Sequence, residues 1–241
     1  MIKEVGKSMA HQILRIILMV IVFGIYVEDV SAIPQKTSYV VYIDPFFGGK
    51  DSGPILDQKY AGKRITFDIA VKLSRLLTEM GIITTLSREQ DSFLSLAERI
   101  NKSITEGADI YIAITLSQSN KDCINIFYAK QLSKTYEKRK ADVGDILIDW
   151  MGDKIIKESK LLADSIKERL KTKSVLNCMI VESKRTYLLE NSFIPTVIID
   201  FQVIKSGPKP IYIRNADTVN KILHAVSEGI QRNIEKQGWM K

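Results

Sequence analysis

The segment Tyr39-Val40-Val41-Tyr42-Ile43-Asp44-Pro45-Phe46-Phe47-Gly48-Gly49-Lys50-Asp51-Ser52-Gly53 decides the fold. Its first five residues form an unbroken β-branched and aromatic run, the pattern of a strand buried on both faces. Asp44-Pro45 ends the run, since proline cannot donate to a ladder, and Gly48-Gly49 marks a loop. Beyond it, Lys63 to Met80 sets Ile65, Ile69, Leu73, Leu76 and Leu77 at helical spacing and stops before Gly81. A buried strand, a glycine-rich loop and an amphipathic helix, in that order, open an α/β layer.

The same alternation continues. Ile82 to Leu86 reads as a strand and Phe93 to Ile104 as a helix carrying Leu96, Ile100 and Ile104 on one face. Asp109 to Thr115 and Ile124 to Tyr128 read as strands, and a charged stretch fills Lys130 to Asp142. Helical segments follow at Ile146–Met151 and Ile155–Lys171, short strands at Tyr187–Leu189 and Thr196–Phe201, and a helix at Ala216–Ile234. There is no internal repeat. The pattern predicts a three-layer α/β domain with a central, largely parallel β-sheet flanked by helices. Sheets of this kind carry their chemistry in the crevice beyond the carboxyl ends of the strands. Three places qualify: the loop after Ile43, the strand end at Thr115 and the strand end at Asp200.

Composition narrows the class. The chain has 241 residues, 45% hydrophobic and 26% charged, which excludes a disordered, collagenous or disulfide-knot protein. Residues 1–32 read as a secretory signal: Lys3, Lys7 and Arg15 precede or flank the apolar run Ile16–Val27, and Val30-Ser31-Ala32 offers a cleavage point. An uncleaved anchor is the alternative. Residues 33–241 are then a single domain with a charged insert at about 130–157. Lys3, Lys7 and Arg15 balance Glu4, Glu28 and Asp29, so the rest of the chain keeps the net charge of +7. An exported basic domain, in the periplasm, envelope or medium, meets anionic lipid or wall polymer, and no nucleic-acid partner is expected. Cys123 and Cys178 are the only cysteines; they either pair, as an oxidising compartment would allow, or sit singly in strands.

On these residues the chain resembles the zinc-dependent N-acetylmuramoyl-L-alanine amidases, which cut the bond between muramic acid and the stem peptide of peptidoglycan. Val41 to Gly53 is similar to the family's V-x-I-D-P-G-H-G-G-K-D-x-G, and Ile65 to Leu73 to its I-T-L-D-I-A-L-K-L. Leu86-Ser87-Arg88 resembles L-T-R, Leu96-Ala97-Glu98-Arg99 resembles L-x-E-R, and Ala108 to Ile114 resembles A-D-L-F-V-S-I. Pro195 to Asp200 resembles P-A-V-L-V-E. Order and spacing agree from about Tyr39 to Ile234, which implies the amidase fold.

The resemblance also implies a zinc site, formed by a histidine in D-P-G-H-G-G, a glutamate before the I-T-L-D helix and a histidine ending the S-I-H strand. Phe47, Gly62 and Thr115 stand at those positions here. Phenylalanine and glycine offer no donor, and a neutral threonine hydroxyl is a poor zinc ligand beside imidazole or carboxylate. No metal ligand and no cofactor are therefore expected. Phe46 replaces the glycine before the first histidine. Asp200 stands at the family's catalytic glutamate and is the one candidate catalytic residue. Asp44, Phe46, Phe47, Gly62 and Thr115 make up a vestigial pocket.

Asp44, Asp51, Asp68 and Asp200 surround it, and His224 lies in the last helix; a replacement site would draw on these, but carboxylates alone favour Mg²⁺ or Ca²⁺. The expectation is an exported, amidase-like pseudoenzyme that binds peptidoglycan or regulates a wall amidase. An active amidase with a non-standard metal site is the alternative. Ile146, Leu147, Trp150 and Met151 form a possible partner face.

Overall fold

The structure, a computed structural model, describes residues 15, 19, 38–56, 61–120, 123–133, 145–173, 179–204 and 215–238, apart from the side chains of 145–150, 179–180 and 204. The chain divides into two units, Met1–Thr37 and Ser38–Lys241. The signal-like run lies almost wholly outside the described residues. Among the described residues no helix is long and apolar enough to cross a membrane.

Six strands form one sheet: β1 (Val40–Pro45), β2 (Ile83–Leu86), β3 (Ile110–Ser119), β4 (Ile124–Ala129), β5 (Met179–Lys184) and β6 (Thr196–Ile204), in the order β2-β1-β3-β6-β4-β5. All neighbours are parallel except β4 and β6. Five helices flank it: α1 (Gly62–Glu79), α2 (Leu96–Thr105), α3 (Asp145–Thr172), α4 (Tyr187–Asn191) and α5 (Ala216–Lys236).

One face of the sheet packs on α1, α3 and α5. Val41 and Ile43 of β1 meet Ile69, Leu73 and Leu77 of α1, while Leu162 and Ile166 of α3 and Ile222 and Ile230 of α5 extend the same core. The other face buries Tyr42, Tyr111, Ala113, Phe127 and Ile198 under Ile100 of α2 and Leu188 and Leu189 of α4. Strand alternation sends odd and even residues of β1 to opposite faces, and both are apolar. This is the expected three-layer domain.

Several boundaries differ from the sequence expectation. The helix expected from Phe93 begins at Leu96, because Ser95 caps it: Ser95 Oγ accepts from Glu98 N while the Glu98 carboxylate reaches back to Ser95 N. Tyr187–Leu189 is not a strand but the start of α4, capped by the Thr186 hydroxyl. A run of three apolar residues has no period to separate the two states. The two helical segments at 146–151 and 155–171 are one continuous helix, α3, so the insert at about 130–157 is partly helix. β5 was not expected; it is a polar edge strand with little apolar alternation.

Met151 is 45% exposed, while the side chains of Ile146, Leu147 and Trp150 lie outside the described residues. Cys123, at the start of β4, is buried and disulfide-bonded. Cys178, the other cysteine of the sequence, lies outside the described residues.

Candidate functional site

The loop leaving β1 is held from beneath by two arginines that the sequence reading did not single out. Asp44 is wholly buried and forms an ion pair with Arg99, whose side chain is 3% exposed. Ser87 Oγ and Tyr111 Oη also donate to its two oxygens. Arg99 then turns upward: its Nη2 donates to the Phe47 carbonyl at 3.1 Å, and its guanidinium lies 5.0 Å from the centre of the Phe46 ring. Arg88 donates from Nε to the Pro45 carbonyl and from Nη2 to the Lys63 carbonyl. Burial, and then the charge of Arg99, lower the Arg88 pKa. The Thr66 hydroxyl fixes the Phe46 carbonyl at 2.7 Å. Asp44 thus anchors the loop from below and does not line the cavity.

Phe47 has φ +68°, the one non-glycine residue at positive φ among the described residues. A side chain in that region costs about 1–2 kcal/mol. The ring finds its seat on Gly53, where an added Cβ would sit 2.7 Å from the ring carbons. Next to it the segment Gly53-Pro54 closes on the start of α1. Gly62 N donates to the Pro54 carbonyl at 2.8 Å. A Cβ at Gly62 would lie 2.9 Å from Pro54 Cδ and 3.3 Å from Gly53 Cα. No side chain fits at position 62 without moving that backbone.

Across the sheet, Thr115 and Asp200 are register partners within β3 and β6, not at their ends as expected, since the two strands stay paired as far as Ser119 and Ile204. Thr115 Oγ1 donates to Asp200 Oδ1 at 3.0 Å and Ser117 Oγ to Oδ2 at 2.6 Å. Beside them opens a cavity of about 310 Å³. Phe46, Phe47, Thr115 and Asp200 line it, whereas Gly62, expected in the same pocket, does not. Leu116, Ser117, Phe127, Ile198, Lys184, Thr186 and Gln202 complete it. Ser117 was legible, since it is two residues past Thr115 on the same face. Lys184 and Thr186 were not, because the first ends the unexpected strand β5 and the second follows it. Phe46 and Phe47 meet edge-to-face, 5.3 Å between ring centres.

The other acidic candidates do not converge. Asp51 accepts from Gly53 N within its own turn; Asp68 and His224 are exposed on their helices. Neither Asp51, Asp68 nor His224 lines the cavity. Among the described residues no group of three or more His, Cys, Asp and Glu side chains could hold a metal ion. The donors at the positions equated with zinc ligands are a phenyl ring, a glycine with no room for a side chain, and a hydroxyl already spent on Asp200. This set does not fit zinc.

The sheet order and the flanking helices define an α/β domain, and the comparisons name its family. The N-acetylmuramoyl-L-alanine amidase family model matches residues 41–232, so the chain belongs to that family. It is 25% identical to the amidase LytC of Bacillus subtilis over 189 residues, covering 78% of this chain and 34% of LytC. It is also 25% identical to the amidase AmiA of Escherichia coli over 216 residues, covering 79% of this chain and 74% of AmiA. The chain thus spans about a third of LytC and most of AmiA.

Among solved structures, the catalytic domain of CwlV from Bacillus (Paenibacillus) polymyxa superposes with a TM-score of 0.62 at 17% identity, covering 82% of this chain and 98% of that one. CwlD of Clostridioides difficile, solved in complex with the GerS lipoprotein, gives 0.59 at 22% identity, covering 83% and 100%. Both are likenesses of fold.

Proposed function

We propose that this amidase-family domain is an exported pseudoenzyme that binds peptidoglycan, or a wall amidase or its regulator, without hydrolysing the muramoyl–alanine amide. The observation that carries the reading is the closure of Pro54 over Gly62. A lost ligand can be replaced by a neighbour, but here the Cβ of any side chain at position 62 would lie 2.9 Å from Pro54 Cδ and 3.1 Å from Pro54 N. An amide is unreactive to neutral water, and family hydrolysis relies on a metal to activate it. Asp200 alone, with both oxygens accepting from hydroxyls, supplies no such activation. Its role in this reading is to hold Thr115 and Ser117 and shape the cavity floor.

Export is supported by the signal-like run at residues 1–32 and by the disulfide at Cys123, since such bonds persist in oxidising compartments. A protein partner is supported by the CwlD structure, in which a domain of this fold is complexed with a lipoprotein. The test is release of free stem peptide from purified peptidoglycan by the full chain with added zinc. We expect none above a protein-free control, while the protein co-sediments with the wall or captures an amidase. Chelator-sensitive release of peptide would overturn the reading.

A further inference from the structure

We propose that Asp200, Thr115, Ser117 and Asn125 form a site for a hard, oxygen-seeking cation of the calcium class. The proposal goes beyond the reading of the domain as non-hydrolytic and does not depend on it. Strand register lays these residues out as a patch. Thr115 of β3, Asp200 of β6 and Asn125 of β4 are successive register partners, one row across three adjacent strands. Side chains opposed in such a row share a face of the sheet, with Cβ atoms about 4.5–5.5 Å apart. Ser117 stands two residues past Thr115 on the same face.

Two members of the patch are buried and short of partners. Asp200 is 5% exposed, and the bonds to its oxygens come from the neutral hydroxyls of Thr115 and Ser117. Among the described residues no cation pairs with it. Buried charges are ordinarily paired or bound to a metal. Asn125 is 6% exposed, and its side-chain oxygen is buried with no hydrogen-bond partner. An orphaned buried acceptor is costly. A donor N–H or O–H would satisfy Asn125 and leave the carboxylate charge unbalanced; a cation between them answers both. Lys184 also lines the cavity but does not fill this role. It pairs in register with Ala129, four residues along β4 from Asn125, and its Nζ lies 4.1 Å from the centre of the Phe127 ring.

The donor chemistry selects the cation. The two hydroxyls give their protons to Asp200 and keep lone pairs of their own, and the carboxylate has about four lone-pair positions, of which these bonds use two. Every donor is oxygen and one is charged, a set that suits Ca²⁺ or Mg²⁺ and not Zn²⁺. Calcium tolerates an irregular shell of about 6–8 oxygens, whereas magnesium demands an octahedron, so a set fixed by strand spacing favours calcium. The cavity of about 310 Å³ beside Asp200 admits the waters that complete the shell. A single carboxylate implies weak binding, roughly 0.1–1 mM, the range of extracellular calcium modules. Of the three positions equated with zinc ligands only Thr115 takes part; Phe47 and Gly62 do not.

The test is thermal unfolding of the chelator-stripped full chain in 0–10 mM calcium chloride at constant ionic strength, with magnesium chloride in parallel. Calcium should raise the Tm saturably, by about 3–5 °C at 10 mM, and magnesium by less. Asn125→Leu removes the orphaned oxygen, so without calcium this variant should unfold at the same temperature or higher, and calcium should no longer move it. Asp200→Asn should lose the calcium response as well. The proposal fails if calcium leaves the Tm of the unmodified chain unchanged, or if the rise persists in Asn125→Leu, which would place the ion elsewhere. It also fails if Asn125→Leu is several degrees less stable without calcium, since the amide would then have a protein partner. Stem-peptide release measured in the same buffers keeps the two claims apart. Calcium binding without release sustains both, whereas release in calcium overturns the non-hydrolytic reading and leaves the cation site standing.

Discussion

At the exit of β1, Asp44 is wholly buried and meets a guanidinium and two hydroxyls, whereas in the middle of β6 Asp200 meets two hydroxyls and faces a cavity. The first region is a clamp. Arg99, Arg88 and Thr66 fix three consecutive carbonyls of the loop, and the Phe47 ring and Pro54 close over two glycines. The second region is open, and Asp200 and Lys184 both line it. Within one crevice, then, Gly62 is closed over by Pro54, while Phe47 packs on Gly53 and also lines the cavity. The side formed by β4, β5 and β6 has kept a volume. Loss of chemistry and retention of a pocket are separable, and here they fall on different strands.

Breaking the clamp should cost most. Asp44→Ala leaves the buried Arg99 guanidinium unpaired and should lower stability by about 3–5 kcal/mol in urea unfolding. A loss under about 1 kcal/mol would show that the guanidinium finds other partners, and that the two carboxylates are less different than drawn.

Gly62→Glu comes next. An acidic residue in the first turn of a helix is ordinarily favourable by about 0.3–1 kcal/mol, and α1 has none. Collision with Pro54 should reverse the sign to a loss of about 1–3 kcal/mol, read as a drop in Tm. A stabilised variant would mean that the Gly53-Pro54 segment moves aside easily.

Phe47 allows a finer comparison. Phe47→Gly and Phe47→Ala both remove the ring, but only glycine is at ease at φ +68°. The glycine variant should be the more stable by about 1 kcal/mol. Equal stabilities would show that the loop relaxes once the ring is gone.

The smallest effect belongs to the outer edge of the clamp. Asp91 accepts from Lys63 Nζ and from Gly49 N, and these bonds, the lysine first, hold its pKa below the ordinary 3.8. A depressed carboxylate pKa contributes stability above the unfolded value, and that contribution disappears as pH falls through the folded one. Asp91 is exposed, so Asp91→Asn should cost no more than about 0.5 kcal/mol at pH 7, and that cost should fade as pH falls through the lowered folded pKa. An equal cost above and below that pKa would assign the effect to the amide, not the charge.

Much of this was legible in the residues. The five-residue run Tyr39–Ile43 and the helical spacing of Ile65, Ile69 and Leu73 set the layer order, because burial on both faces and an amphipathic face leave periodic traces. Thr115 and Asp200 were placed at strand ends, but β3 and β6 run on to Ser119 and Ile204, β3 through Ser117, Gln118 and Ser119, which carry no apolar trace of a strand. Asp44 could not be separated from Asp200, since a sequence does not say which carboxylate has an arginine from a distant helix beneath it. Lys184 was missed because a polar edge strand has weak periodicity and its lysine reaches the cavity only by folding over Phe127. The seat of Phe47 on Gly53 is a long-range backbone approach, which no local pattern encodes.

The most direct measurement is the zinc stoichiometry of the chelator-stripped full chain by calorimetric titration. With a phenyl ring, a closed glycine and an occupied hydroxyl in place of ligands, no tight binding is expected. One zinc bound tightly per chain would contradict this, and would mean that donors other than Phe47, Gly62 and Thr115 rebuild the site.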